Sequence, residues 1–502
     1  MIPDMSNFCI YGAVLTSLIT TFYLYIKYKH KYWSRKGVYT PPVHWLFGHF
    51  KNCIMQRTSS PQMLADMYNS CNESVVGIYI FQKPFLIVRS PEVLKHIFIK
   101  DFNFFPNHYF ASKRKNDVLG SSNLFSIDNP KWKYLRNKMS PIFTTGKQKH
   151  LFNQILKISE NFKQYIVDHL DNGKQSTINI KDGASKFTTD VISSLSFGIS
   201  TNSFEKPEPE FFVRSRTPFI LSFRGAIQLF ANFFFPKLND IFGFTFFGKE
   251  TEYFRKIFSL SMKNREESGY KRGDVIDVML DIKKEKNPDF EFEDDELLAQ
   301  SAIILVAGLE TSSVTISFAL YELAMQPSLQ AKIREEIKKK IGDDKLNYEH
   351  ISEMKYVNQV VSETLRLYPP VPLIDRISVE DYKIPETDIV LDKETAVFAS
   401  VIGLHTDPKY FTNPFKYDPD RFSDERISDM TPGTYIPFGI GPRTCIGMRT
   451  GILMSMVGLI TILREYEVSI NSNYKCEVNK RSIFTAPLNG VNLYFKRSPI
   501  VH

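Results

Sequence analysis

The sequence is poor in cysteine, and its cysteines do not form pairs. There are only 5 in 502 residues, and none belongs to a Cys-x-x-Cys motif. A sparse, odd-numbered set argues against a disulfide framework and against a structural zinc site. We therefore expect the chain to fold in a reducing compartment, and any chemistry at sulfur to depend on a single cysteine.

Low-complexity tracts, internal repeats and Gly/Ser- or Pro-rich linkers are missing between residues 50 and 500. Length alone would favour about two to four domains, but the lack of a boundary favours one large globular unit. A composition of 43% hydrophobic and 14% aromatic residues is sufficient for a large core. The net charge of +8 is modest, and no nucleic-acid motif accompanies it. We expect an acidic partner or an anionic membrane surface, and no nucleic acid.

Charged residues are absent from Phe8 to Ile26. As a helix this stretch would be roughly 28 Å long, close to the hydrocarbon thickness of a bilayer. Lysines and arginines follow it from Lys27 to Lys36, and the positive-inside rule then leaves the downstream chain in the cytosol. The alternative is a cleaved signal peptide, but a positive n-region and a small-x-small site are lacking. The sequence predicts a single-pass N-terminal transmembrane anchor.

We interpret residues 1–36 as this anchor with its basic flank, residues 37–49 as a proline-containing hinge and residues 50–502 as the globular domain. Thr40-Pro41-Pro42 is the stiff part of the hinge. Aromatic residues beside the span predict a belt at the membrane interface: Tyr23, Tyr25, Tyr28, Tyr32 and Trp33.

One cysteine lies in a sequence suited to metal binding. Cys445 belongs to Phe438-Gly-Ile-Gly-Pro-Arg-Thr-Cys-Ile-Gly447, in which glycines on both sides let the backbone turn sharply and approach a flat cofactor. The nearly uncharged stretch from Ile446 to Leu463 predicts a buried helix, and its N-terminus would favour the thiolate. For an isolated cysteine, a buried structural role is the alternative.

A second segment, from Leu297 to Tyr321, carries a single charged residue, Glu310. Acidic residues just before it mark a helix start, and its many polar residues favour a central core helix over a second membrane span. Thr311 and Ser312 can donate their hydroxyl groups to the preceding turn and open a small groove. A buried Glu310 is either held in an ion pair within the core or has a chemical role.

The segment from Tyr356 to Tyr368 predicts a helix that ends before two prolines. Glu363 and Arg366 stand three residues apart on this helix and can pair. An exposed pair of this kind would contribute less than about 1 kcal/mol. A further arginine, Arg421, follows in a loop-rich region.

Together these motifs resemble the cytochrome P450 superfamily, the haem-thiolate monooxygenases. The segment around Cys445 resembles the haem-binding loop, and Ala307-Gly-Leu-Glu-Thr-Ser312 resembles the oxygen-binding helix. The resemblance implies a mainly α fold with small β-sheets in one domain, and haem b with Cys445 as its axial thiolate ligand. Ala307 to Ser313, with Phe318 to Leu323, is most similar to the insect microsomal branch associated with foreign-compound detoxification.

The resemblance also implies roles for individual residues. Glu310 and Thr311 are the catalytic pair that relays protons at the oxygen site, and Glu363, Arg366 and Arg421 form a buried structural triad. Besides Cys445, the residues implied to contact haem are Trp132, Arg136, Arg376, Phe438, Gly441 and Arg443. The segments implied to line the substrate pocket are 116–125, 210–247, the early part of the long helix, 371–374 and 483–486.

The implied activity is insertion of one oxygen atom from O2 into a hydrophobic small molecule at the endoplasmic reticulum membrane. Electrons would come from NADPH-cytochrome P450 reductase, with cytochrome b5 as a second candidate donor. Lysines from Lys131 to Lys149 either face such a donor or form a solvated surface. Detoxification and endogenous lipid or hormone metabolism both stay open, as do a haem-thiolate isomerase and a non-catalytic haem sensor. The Phe-rich stretches 229–236 and 241–247 contact either lipid or the core.

Overall fold

The computed structural model describes residues 5–110, 117–170, 176–219, 222–235, 240–285, 289–342 and 344–500. Within these ranges the chain is mainly helical, with one four-stranded, one three-stranded and one two-stranded sheet. The expected fold class, mainly α with small β-sheets, is confirmed.

The described helices, numbered in chain order, are α1 Met5–Lys29, α2 Tyr32–Arg35, α3 Lys51–Ile54, α4 Ser60–Tyr68, α5 Pro91–Lys95, α6 Val118–Ser121, α7 Lys131–Met139, α8 Thr145–His169, α9 Ile180–Phe197, α10 Glu210–Arg216, α11 Phe223–Phe234, α12 Thr251–Ser268, α13 Val275–Lys284, α14 Asp294–Met325, α15 Pro327–Lys340, α16 Tyr348–Glu353, α17 Lys355–Leu367, α18 Val401–His405 and α19 Met448–Glu465.

The described strands are β1 Val75–Ile80, β2 Lys83–Val88, β3 Ser176–Asn179, β4 Leu373–Ile377, β5 Tyr382–Lys383, β6 Val390–Leu391, β7 Ala396–Ser400, β8 Tyr466–Ser469 and β9 Asn492–Arg497. The large sheet has the order β1-β2-β7-β4, with β2 and β7 parallel and the other neighbours antiparallel. The order β3-β9-β8 forms the second sheet, and β5 pairs with β6.

Helix α14 is the centre of the core. It begins with a capping box, in which Glu293 and Glu296 satisfy each other's backbone N–H groups. Its most apolar part is 78% buried, and it packs against α9 and α19. The prediction of a buried central helix with an acidic start is confirmed.

Among the described residues, two helices are long and apolar enough to cross a membrane: Ile10–Lys29 and α14. The first is only 6% buried and is a candidate anchor, whereas α14 is enclosed by the domain. Length and composition alone do not separate the two, but burial does.

Trp33 lies inside the domain, so its assignment to a membrane-interface belt is wrong. Its side chain is fully buried, and its indole N–H donates to the carbonyl of Ile78 at 3.1 Å. A Cβ on Gly77 would lie 2.3 Å from the indole, so the missing side chain of Gly77 is what makes room for the ring. The chain therefore already contacts the sheet before the predicted hinge. Tyr25 and Tyr28 remain exposed.

The Phe-rich stretches divide between core and surface. Leu229 and Phe234 of α11 are buried. Phe223, on the same helix, and Ile241 and Phe242, after it, are 60%, 73% and 64% exposed. Residues 236–239 lie outside the described residues. The core alternative thus holds for Leu229 and Phe234, whereas contact with lipid stays a prediction for the exposed residues.

Candidate active site

Two adjoining cavities meet at the middle of α14. The cavity lined by Cys445, here called the lower cavity, has a volume of about 270 Å³. The cavity lined by Glu310, here called the upper cavity, has a volume of about 150 Å³. Ala307 is exposed although its helix is buried, because it faces this space. The two cavities share part of their lining: Phe125, Ile303, Ala307, Thr311, Pro370 and Val371.

Cys445 lines the lower cavity. Its side chain is exposed, and its free surface faces the cavity. Burial raises the pKa of the thiol, while the N–H of Gly447 and the charge of Arg136 act in the opposite direction. Helix α19 starts at Met448, two residues later than predicted, so the sulfur lies just ahead of its N-terminus.

The loop that carries Cys445 is closed by backbone hydrogen bonds and needs a glycine. The N–H of Cys445 donates to the carbonyl of Phe438 at 2.9 Å. Gly441 has a φ of +81°, and a Cβ there would lie 1.9 Å from the carbonyl oxygen of Phe98. No other residue fits this position without moving the backbone.

The structure brings most of the predicted cofactor contacts into one cavity. Gly441 packs against Phe98 and is not part of the cavity lining, while Phe438 is. The predicted residues that line the lower cavity are Cys445, Trp132, Arg136, Arg376, Phe438, Arg443 and Thr311.

Guanidinium groups gather at one part of the lower cavity. Arg443 lies over the ring of Trp132 at 4.4 Å and donates to the carbonyls of Pro106 and Ile127 at 2.7 and 2.9 Å. Arg376 is only 2% exposed, and its Nε has no hydrogen-bond partner in the described part of the chain. Burial lowers the pKa of Arg443 to about 9 and that of Arg376 to about 10. A bound anion would stabilise these charges.

Sequence reasoning missed His108, which lines the same cavity. Its Nδ1 lies 2.7 Å from a carboxylate oxygen of Asp375, and its ring stacks on Phe125 with centroids 4.5 Å apart. Burial lowers the pKa of His108 to about 4. Asp375 and His108 are 267 positions apart in the chain, and no local pattern in the sequence connects them.

Glu310 lines the upper cavity and is paired with a lysine. The Nζ of Lys181, on α9, lies 2.9 Å from Oε2 of Glu310, and both side chains are 11% exposed. Lys181 also donates to the hydroxyl of Ser185 at 2.9 Å. The ion-pair alternative for Glu310 is therefore present, and it lies directly beside the cavity.

Thr311 lines both cavities. Its hydroxyl donates to the carbonyl of Ala307 at 2.7 Å, as predicted for the back-bond that opens this turn. The neighbouring Gly308 faces away, and a Cβ there would meet Ile192 at 2.5 Å. Gly308 thus provides room for α9, and Ala307 alone presents the small surface to the cavity.

The predicted buried triad is present behind the cysteine loop, which comprises residues 438–447. Arg366 donates to both carboxylate oxygens of Glu363 at 2.7 Å, and neither side chain is exposed. Nε of Arg421 lies 3.4 Å from Oε1 of Glu363. These contacts join α17 to the loop that precedes Cys445.

Phenylalanines dominate the upper cavity. Phe233 contacts both Phe110 and Phe484, with ring centroids 4.6 and 5.9 Å apart, and Phe484 contacts Phe219 at 6.2 Å. Each predicted substrate segment contributes to the lining, although residue 116 lies outside the described residues. The aromatic side chains of this lining are Phe110, Phe125, Phe219, Phe233, Phe246 and Phe484.

Comparison with known proteins identifies the family. The model of the cytochrome P450 family matches residues 39–493. The chain belongs to the cytochrome P450 family. It is 38% identical over 510 residues to cytochrome P450 6k1 of Blattella germanica, with 97% of each chain covered. Probable cytochrome P450 6g2 of Drosophila melanogaster is 34% identical, with 97% of this chain and 98% of that protein covered. The resemblance to insect P450s is confirmed, and the protein is a haem-thiolate monooxygenase.

The lower cavity fits the haem that the family implies. A cysteine sulfur and the small Ala307 both face its interior, so a flat ring can enter between the cysteine loop and α14. Arg136, Arg376 and Arg443 carry buried positive charge suited to carboxylates, and the unpartnered Nε of Arg376 can donate to one.

Proposed function

We propose that this protein is a membrane-anchored P450 that inserts one oxygen atom from O2 into hydrophobic foreign compounds, with electrons from NADPH-cytochrome P450 reductase. The observation that carries the proposal is the exposure of Cys445 to an internal cavity lined by arginines and by the polar turn of α14. Endogenous lipid or hormone hydroxylation is the alternative use of the same site.

Cys445 would bind the haem iron, and Trp132, Arg136, Arg376 and Arg443 would hold its carboxylates. Phe438 would pack on the ring, and Gly441 would let the loop reach its position. Bound in this way, haem supplies the activation of O2.

Proton delivery is assigned to Thr311 and Glu310. The hydroxyl of Thr311 donates to the carbonyl of Ala307 on the preceding turn of α14, and a back-bond of this kind would let water enter the turn. Lys181 keeps the carboxylate of Glu310 paired beside the cavity. We infer that Lys181 is part of this machinery because it controls the position of Glu310.

The substrate is proposed to be a neutral compound with at least one ring. Aromatic pairs favour edge and offset contacts with a further ring, and the upper cavity offers several edges. Both carboxylates that line the upper cavity already have partners. Asp117 accepts from the N–H groups of Gly120 and Phe246. Glu310 is paired with Lys181. Aromatic detoxification substrates fit this lining better than long flexible chains.

A reductase surface is proposed at the basic residues of α7 and α8. Lys131 is paired with Glu296, Lys138 with Glu285 and Lys149 with Glu349. Within the described residues, Lys133 and Lys147 have no ion pair, and they are the better candidates for an acidic partner. Reversing the charge of Lys133 and Lys147 should slow reduction and weaken its salt dependence, while reversal of the paired Lys149 should have a smaller effect. Cytochrome b5 would use the same surface.

The membrane assignment rests on α1, together with the exposed Phe223, Ile241 and Phe242. We propose that α1 is a single-pass anchor in the endoplasmic reticulum membrane and that the catalytic domain lies in the cytosol. The domain boundaries 1–36, 37–49 and 50–502 belong to this proposal, with Trp33 and Lys36 of the basic flank packed on the domain. Carbonate-resistant retention in microsomes, lost on removal of α1, would support it.

Carbon monoxide binding tests the central assignment. The reduced, haem-loaded protein should show the red-shifted Soret band that thiolate ligation produces, and Cys445→Ser should abolish it. Cys476→Ser is the control, since Cys476 belongs to another part of the chain and should leave the band intact. A folded, haem-loaded wild type without the band would overturn the proposal. Substrate-dependent NADPH consumption with added reductase then tests the proposed source of electrons.

A further inference from the structure

A buried histidine connects the Glu363–Arg366 pair to the cysteine loop. His405, the last residue of α18, is 0% exposed, and both of its ring nitrogens are engaged. Nδ1 lies 3.0 Å from the carbonyl oxygen of Arg366. Nε2 lies 2.9 Å from the backbone nitrogen of Ile436, two residues before Phe438.

The two partners determine the protonation of the ring. A carbonyl can only accept, so Nδ1 carries the hydrogen and donates it to Arg366; a backbone N–H can only donate, so Nε2 accepts from Ile436. Burial lowers the pKa of His405 to about 3. The ring is therefore neutral in ordinary conditions, and each nitrogen makes the one bond that this tautomer allows.

On one side the histidine is held by Arg366. Nη1 of Arg366 donates to the carbonyl oxygen of His405 at 2.8 Å, while the ring of His405 donates back to the carbonyl of Arg366. Arg366 is itself bound to Glu363, so this side of the connection ends in a buried ion pair.

On the other side the connection reaches the sulfur-bearing residue in two steps. The carbonyl of Ile436 accepts from the N–H of Gly439 at 3.0 Å, and the carbonyl of Phe438 accepts from the N–H of Cys445 at 2.9 Å. The bond from Ile436 to His405 thus fixes the start of the loop that holds Cys445.

We propose that His405 is a positioning residue for Cys445, which acts by holding the start of the cysteine loop against helix α17. The proposal rests on the proposed ligation of haem by Cys445. The positioning of Cys445 is assigned to the hydrogen bond between Nε2 of His405 and the backbone N–H of Ile436.

Two variants separate the bonds of His405. His405→Asn keeps a donor near the position of Nδ1 but loses the acceptor for Ile436, whereas the longer His405→Gln can accept from Ile436. Tyr435→Phe is the matched control: Tyr435 stacks on His405 with centroids 5.4 Å apart, and its hydroxyl donates to the carbonyl of Ser362 at 3.0 Å. It removes a partly buried hydrogen bond nearby without breaking the connection.

The readout is the ratio of red-shifted to unshifted Soret band in the reduced carbon monoxide complex, measured with haem content and the urea midpoint. His405→Asn should lower this ratio about fivefold relative to Tyr435→Phe, as expected for one lost buried hydrogen bond, and His405→Gln should stay closer to wild type. Equal ratios in His405→Asn and Tyr435→Phe, or equal damage from Asn and Gln, would overturn the proposal. If Cys445 were not the ligand, wild type itself would lack the band.

A measurement on the unmodified protein tests the proposal even if the variants do not fold. When the haem-loaded protein is treated with mild denaturant, the amide hydrogen of Ile436 should lose its protection from exchange in step with the red-shifted band. Loss of the band while Ile436 stays protected would overturn the proposal.

Discussion

The ammonium group of Lys181 lies 2.9 Å from the carboxylate of Glu310, and both side chains are about nine-tenths buried. The pair joins α9 to α14 at the wall of the upper cavity. The two interpretations of Glu310, a core ion pair and a chemical group beside the site, are therefore compatible in one structure.

Replacing one partner of this pair should destabilise the fold more than replacing both. Lys181→Met leaves a carboxylate buried without its cation, and we expect the free energy of unfolding to fall by about 3 kcal/mol. The double variant Lys181→Met/Glu310→Gln should recover much of that loss. Urea unfolding of wild type, Lys181→Met, Glu310→Gln and the double variant measures the coupling.

The matched control is Lys332→Met, because Lys332 pairs with Asp420 at the surface, with side chains 54% and 44% exposed. Its removal should cost less than about 1 kcal/mol. Similar losses from Lys181→Met and Lys332→Met would contradict the view that the buried pair stabilises the cavity wall.

Thr311→Ala should separate electron consumption from product formation. The hydroxyl is the proposed proton-delivery group, so NADPH consumption should continue while product per NADPH falls roughly 100-fold or more. Ser317→Ala removes a similar back-bond, from Ser317 to the carbonyl of Ser313 at 2.6 Å on the same helix, and should leave the yield unchanged. An unaltered yield in Thr311→Ala would refute the assignment.

Two of the three glycines of the cysteine loop, Gly441 and Gly447, should respond differently to alanine. Gly441→Ala forces a Cβ against the carbonyl of Phe98 at a positive φ, so we expect little folded, haem-containing protein. Gly447 has a φ of −91° and no neighbour within 4 Å of a Cβ. Gly447→Ala should therefore change the unfolding midpoint only slightly. Haem content and circular dichroism of both variants test this, and equal yields would refute it.

Stability should decrease as the pH falls below about 6.5, partly because of two buried histidines. Above that pH, His108 and His405 are neutral whether the chain is folded or unfolded. Below it, the unfolded chain takes up a proton at each, whereas the folded protein resists until about pH 4 for His108 and about pH 3 for His405. Each histidine thus contributes up to about 1.4 kcal/mol per pH unit. In urea unfolding at several pH values, His405→Gln should show the shallower slope; an unchanged slope would contradict this.

The features that sequence made predictable are those encoded locally. The central helix was recognisable from Leu297 to Tyr321 because charge is nearly absent there, and the structure extends it only to Asp294 and Met325. The pairing of Glu363 with Arg366 followed from helical spacing. The cysteine loop was readable because glycine and cysteine stand at fixed positions within a few residues of one another.

The features that escaped prediction are contacts between distant segments. Lys181 and Glu310 are 129 positions apart, and His405 and Arg366 are 39 apart. Glu310 and Arg366 carry a local signal, but their partners Lys181 and His405 do not, because an isolated lysine or histidine has many possible environments. Trp33 was misassigned for the same reason: its position beside an apolar helix favoured the membrane, whereas Gly77, 44 residues further on, provides its buried site.

That burial bears on how the protein can be shortened for work in solution. Trp33 is covered by β1, its backbone N–H donates to the hydroxyl of Tyr79 at 2.9 Å, and Lys36 is paired with Asp392. A chain trimmed to begin at the prolines would leave a ring-sized hole beside Gly77 and an aggregation-prone strand. A soluble form that starts at Lys31 would lack helix α1 and would keep the side chain of Trp33 in its buried site.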